Sequence, residues 1–215
     1  MSLTGTHHAF ASIDERGTNR ALHDFFTARP RYLHFGSPPF VTATSISGTV
    51  MAPIPFPGSS GIAWAVDLTV PQIDLFPPDG PLPAPLVLGP DQLGISTEVT
   101  LTIGCTADQE VTSKGGGVMP VKATLAVLAI AHPVSQYFGP GVGDITFHVD
   151  QVLLPDVAPP ALRLVLDCLI EMILNAVLAE VQLPFTVIDA GFIKLALEAG
   201  PTIADNQIEL WGDIS

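Results

Sequence analysis

The chain has 215 residues, of which 47% are hydrophobic and 13% charged, and its formal net charge at pH 7 is −13. Ordinary soluble domains carry about 25% charged residues, and the mean hydropathy of this chain is +0.45. Its acidic balance excludes a phosphate-neutralising nucleic-acid surface and electrostatic docking on an anionic membrane, since both need clustered Lys and Arg.

Length favours one domain over residues 13–215 behind a flexible tail at 1–12. Cys105 and Cys168 are the only cysteines. Two isolated thiols build neither a disulfide framework nor a zinc site, so both are expected buried and reduced. Met1 to Gly17 has no basic segment followed by an apolar one, which gives a cytoplasmic expectation. The longest uncharged runs are broken by Pro, Gly, Ser and Thr, and none reads as a transmembrane helix.

From Ile13 to about Ala28 the pattern is helical, with Ala21, Leu22, Phe25 and Phe26 on one side and Pro30 ending it. Tyr32 to Val50 changes to a period of two and reads as a strand pair, followed by a Pro- and Gly-punctuated loop from Met51 to Gly61. Ile62 to Leu75 alternates as a strand, with Pro71 marking an edge or bend. Phe76 to Pro90 carries too many prolines for a paired strand and reads as an extended surface strap. Ile95 to Ile103 is the cleanest alternation. Gly115-Gly116-Gly117 marks a turn into a strand from Val118 to Ile130. Beyond a Gly/Pro corner at 139–143, Asp144 to Leu154 alternates again with Ile145, Phe147 and Val149 inward.

Leu162, Val165 or Leu166, Leu169, Met172 or Ile173, and Ala176 then recur at steps of three and four, predicting a helix from Leu162 to Leu183. Arg163, Asp167, Glu171 and Asn175 form its only polar stripe. A helix this apolar must be covered on most sides, by protein or by ligand. The chain closes with strands over Phe185 to Asp189, Phe192 to Glu198 and Gln207 to Ile214, separated by Gly191, Gly200-Pro201 and Asp205-Asn206.

Motifs for catalysis are absent: there is no Gly-x-Ser-x-Gly elbow, phosphate loop, His-Glu-x-x-His or calcium loop. Gly139-Pro-Gly-Val-Gly143 lacks the strand–helix pair that a nucleotide loop needs and reads as a turn. His148 and Asp150 lie two apart on one strand and so share a face, where a carboxylate can orient an imidazole; a polar solvent face is the plainer reading. His23, His34 and His132 have no metal-ligand spacing, and His7 and His8 belong to the tail. No catalytic residue, metal or cofactor is expected.

The order of elements resembles the tubular lipid-binding (TULIP) superfamily, which includes the bactericidal permeability-increasing proteins. The likeness rests on the helix Glu15 to Ala28, the strands between Tyr32 and Leu154, the helix Leu162 to Leu183, and the tail Phe185 to Ile214. That tail contains the stretch Gly-Pro-x-Ile-x-Asp-Asn-x-Ile-Glu-Leu from Gly200 to Leu210. The resemblance implies an α+β fold in which a long twisted antiparallel sheet wraps a long C-terminal helix, with a shorter N-terminal helix. It also implies non-enzymatic binding of lipid or another apolar ligand in a seam between helices and sheet. By that likeness the lining includes Phe25, Phe26, Phe147, Leu166, Leu169 and Ile173, and the apolar spacing of the two helices adds Leu22, Leu162 and Met172. The missing signal, the missing disulfide and the proline-rich segment at 76–90 depart from the family pattern and put extracellular transfer in doubt.

Two rival readings stay open. One is a barrel-type cyclase or isomerase acting on an apolar substrate with His148 and Asp150 as acid–base pair. The other is a structural or interaction subunit whose apolar helix packs on a partner, a homodimer included.

Overall fold

The computed structural model describes residues 6–38, 40–41, 48–55, 61–105, 120–139, 142–157, 160–185, 188–189 and 194–214. In chain order these form strand β1 (Ala9–Asp14), helix α1 (Glu15–Ala28), a 3-10 turn (Pro30–Tyr32), and strands β2 (His34–Gly36), β3 (Thr49–Val50), β4 (Ile62–Leu68), β5 (Gln72–Leu75), β6 (Leu93–Cys105), β7 (Val121–Gly139) and β8 (Val142–Leu153). Helix α2 (Pro160–Ala179) follows, then strands β9 (Leu183–Phe185), β10 (Ile188–Asp189), β11 (Lys194–Ala204) and β12 (Gln207–Ile214). The backbone divides into two compact units, one of Met1–Leu22, Gln72–Ser96 and Leu128–Ser215, the other of His23–Pro71 and Thr97–Val127.

The first unit contains a four-stranded antiparallel sheet in the order β1-β12-β11-β10. Asp205 and Asn206 join β11 to β12 with φ of 50° and 60°. Two left-handed residues match the twist of a tight hairpin, and Asn and Asp tolerate that conformation better than most residues. Gly200, at φ 99°, sits in the irregular stretch of β11 where a Cβ would lie 2.7 Å from the Glu209 carbonyl oxygen. Residues 9–12, read from sequence as tail, belong to β1, which pairs with β12 through Phe10↔Trp211 and Ile13↔Ile208.

Elsewhere in this unit β5 pairs with the start of β6, and β7 pairs with β8, which pairs with β9. The outer edge of β5 is met by α1: Asn19 donates to the Ile73 carbonyl and accepts from the Ile73 N–H, both at 2.7 Å. The proline-rich strap is anchored by Leu86 and Leu88, which are buried with Ile130 and Leu153. Across the β7–β8 ladder, Ile130 faces Gln151 but Ala131 faces Val149, so Asp150 is one residue too many. It is a bulge, and both Asp150 and Gln151 point outward between buried Val149 and Val152.

In the second unit, β2 pairs antiparallel with β4 and parallel with β3, and β4 pairs antiparallel with β6 from Leu68↔Val99 to Ile62↔Cys105. Gly36 on β2 is required by close approach, since a Cβ there would meet the Trp64 carbonyl oxygen and the Ala65 and Val41 side chains at 2.9 Å each. Phe26, Val66, Val99 and Val127 are fully buried.

These findings overturn the expected architecture. Among the described residues the strands fall into two separate sheets, and β2–β3 is parallel, so they do not form a single antiparallel sheet. The expected arrangement, a long sheet wrapped around a long C-terminal helix, is absent. Helix α2 stops at Ala179, four strands follow it, and one of its faces is open to solvent, so no sheet wraps it. Its end has a local cause: Pro184 disfavours helical geometry at Leu183, which begins β9 instead. Among the described residues of the strand pair expected over Tyr32 to Val50, His34–Gly36 and Thr49–Val50 form strands, positions 39 and 42–47 lying outside them, and β7 continues nine residues past the predicted end at Ile130, to Gly139. The turn expected at Gly115 to Gly117, the separator at Gly191, and positions 140–141 of the 139–143 corner lie outside the described residues.

Candidate functional site

Helix α2 begins with proline, whose fixed φ suits a first turn, and then runs without Gly or Pro through Leu, Ala, Glu and Met, all good helix formers. Its buried stripe is Ile170, Leu174, Val177 and Leu178, continued by Val181 just beyond the helix. The helix packs against β8.

The polar stripe does not face solvent as a polar stripe ordinarily would. Asn175 accepts a 2.9 Å hydrogen bond from the Val149 N–H of β8. Asp167 accepts from the Leu154 backbone; burial pushes its carboxyl above the usual carboxylate range, while Arg163 and the Leu154 N–H pull it back. One Asp167 oxygen, Oδ1, is buried with no hydrogen-bond partner among the described residues. The polar residues therefore sit along the seam with β8, and the side turned away from the core is apolar. Leu164 is 69% exposed, Met172 66% and Leu169 39%, and Cys168, Ala176 and Ala179 are exposed beside them. Cys168, expected buried, carries a free thiol in this open face; the Cys105 side chain lies outside the described residues.

Beside this face runs a groove of about 540 Å3 lined by Val134, Thr146, Phe147, His148, Glu171, Met172, Asn175 and Ala179. Strands β7 and β8 supply the first four and α2 the rest. Val134, Phe147, Met172 and Ala179 make the apolar part of the wall. Among the described residues, the Glu171 side chain makes no hydrogen bond or ion pair, and the Asn175 carboxamide oxygen is engaged by β8 while its nitrogen is not.

Of the nine residues predicted to line a site, Phe147 and Met172 meet here. Leu169 shares the exposed face of α2, whereas Leu166 and Ile173 are half-buried on its flanks. The Leu162 side chain lies outside the described residues. Leu22 and Phe26 are buried to 3% and 1% exposure. Phe25 is edge-on to Phe26 at 5.1 Å and stacked on Tyr32 at 6.1 Å, with the Arg29 guanidinium 4.5 Å from its ring. None of these three lines the groove. Val134 was missed because the strand was expected to end at Ile130. The exposed face was legible as the i, i+4 series Leu164, Cys168, Met172 and Ala176.

His148 and Asp150 share an exposed face, as their spacing predicts, but they do not pair. Asp150 grips Nδ1 of His132 across the ladder with both oxygens, at 2.8 and 2.9 Å. His148 sits edge-on to His132, ring centres 5.5 Å apart. No group of three metal-binding side chains occurs among the described residues. A second His–carboxylate cluster ties the start of the chain to β12: Asp213 contacts His7 at 3.2 Å and His8 at 3.1 Å. The His7 hydrogen bond chiefly holds the Asp213 carboxyl below its usual range.

No protein-family model matches the chain, and no curated protein sequence matches it. Among solved structures, "Crystal structure of lipopolysaccharide binding protein" aligns over 72% of this chain and 32% of its own, with TM-score 0.34 and 13% identity. The chain thus spans about a third of that protein's length. At that TM-score the likeness decides neither fold nor ligand. Among the described residues, no helix is long and apolar enough to cross a membrane.

Proposed function

We propose that this protein binds the hydrocarbon part of a lipid or similar apolar small molecule in the groove beside α2, without transforming it. The observation that carries the reading is the apolar outward face of α2, where Leu164, Leu169 and Met172 stay wet next to a groove walled by Val134 and Phe147. Full burial of such a side chain is worth about 1.5–3 kcal/mol, so three left open give up a sizeable part of that gain. An acyl chain laid against them gains about 0.8 kcal/mol per buried methylene. The proposed contacts are Phe147, Met172 and Leu169, the same class of ligand that the resemblance to the tubular lipid-binding superfamily implies.

Organic extraction of the purified protein, followed by mass spectrometry, is expected to release a co-purified lipid, and apo protein is expected to take up a fluorescent fatty alcohol. Met172→Lys should abolish uptake and leave the unfolding midpoint close to that of the parent, because the side chain is mostly in solvent. Apo protein that takes up no probe, together with a stable oligomer broken by Met172→Lys, would transfer this face to a protein partner and end the lipid reading.

A further inference from the structure

The geometry points to a ligand class: a single-chain amphiphile with a cationic head group, its tail on Val134, Phe147 and Met172 and its head at Glu171. This rests on the groove being a binding site, as proposed above, and adds the charge of the occupant.

Glu171 is the only side chain in the groove lining with a formal charge at pH 7, taking His148 as neutral. It projects from the same helix as Met172, one residue away, so the acidic group borders the apolar wall. It has no ion-pair or hydrogen-bond partner among the described residues, unlike Asp150, which is held by His132. Asn175, one turn on, offers an unengaged carboxamide nitrogen beside it, suited to a hydroxyl or carbonyl next to the cationic centre.

The surroundings reinforce that sign. Between Lys122 and Lys194 the only basic residue is Arg163, against Asp144, Asp150, Asp156, Asp167, Glu171, Glu180 and Asp189. Every segment that builds the groove falls in this interval. An anionic head would meet like charge with no arginine or lysine to receive it, whereas an ammonium would form a charge-assisted hydrogen bond to the carboxylate.

Titration calorimetry with three submicellar probes of equal chain length tests this: dodecylammonium, the neutral glyceryl monolaurate, and laurate. Dodecylammonium should bind about tenfold tighter than the neutral probe, the factor expected of one charge-assisted hydrogen bond, and laurate weakest. Glu171→Gln should remove the preference for dodecylammonium over monolaurate, while Glu180→Gln, outside the lining, should keep that preference and leave the affinity for both probes unchanged. Equal binding of all three probes, or tightest binding of laurate, would overturn the cationic assignment and leave apolar binding intact. Failure of all three to bind would overturn the groove reading itself. A preference that survives Glu171→Gln would overturn the role of this carboxylate.

Discussion

Solvent-facing positions of α1 include Arg16, Arg20, His23, Asp24 and Thr27, while those of α2 include Leu164, Cys168, Leu169, Met172, Ala176 and Ala179. Both helices use a carboxamide to dock on a strand, Asn19 on β5 and Asn175 on β8. In α1 enough polar residues remain to cover the outward side. In α2 the polar stripe is only four residues wide in sequence, and β8 and Leu154 engage two of them. The hydrocarbon left outside is therefore a consequence of composition and docking together. An apolar face on a helix that is already docked marks a contact surface more strongly than its average hydropathy does.

The sharpest way to break that contrast is to mutate the two sides of α2 separately. Leu174→Ala, on the fully buried side, should cost about 2–5 kcal/mol in denaturant unfolding, because it leaves a cavity. Equal losses from Leu174→Ala and from the Met172 variant would show that the outward face is buried in solution. Next in size, Asn175→Ala should cost about 1–3 kcal/mol, since the Val149 N–H of a fully buried residue loses its acceptor.

The smallest effect concerns Asp167. Its folded-state carboxyl lies above the usual range, chiefly through burial, so the native state holds a proton more readily than the unfolded chain. The charge therefore costs stability as pH rises above the ordinary carboxylate value of 3.8, and costs nothing once pH is well below it. Asp167→Asn should stabilise at neutral pH by no more than about 1 kcal/mol, with the gain fading in unfolding curves taken in acid.

Local features were legible in the sequence where local chemistry decides them. The inward set Ile145, Phe147 and Val149 and the turn at Asp205-Asn206 follow from alternation and from backbone tolerance of left-handed φ. Partner choice was not legible. Nothing in the alternation of 183–214 says that β9 joins β8 while β10, β11 and β12 join β1, because pairing across the chain depends on burial of whole faces. Strand β7 was read as ending at Ile130, yet the ladder continues through Pro133↔Phe147 to Gly139↔Val142. At the candidate site, periodicity identified Phe147 and Met172 but could not reveal that the polar stripe turns toward a strand. That reversal depends on Val149 and Leu154 needing acceptors.

The surplus residue at Asp150 has a bearing on how variation in this region would act. Side chains on a regular strand alternate, and the bulge puts Asp150 and Gln151 on one face in succession, so Val149 and Val152 both stay inward although they are three positions apart. Removing Asp150 would restore plain alternation, with Val149 inward, Gln151 outward and Val152 inward, so Phe147 would keep its side. What would be lost is the carboxylate that grips His132, a charge that Gln151 in its place does not carry. The surplus residue therefore adds a charged partner on the outward face without changing which way the apolar wall of the cleft points.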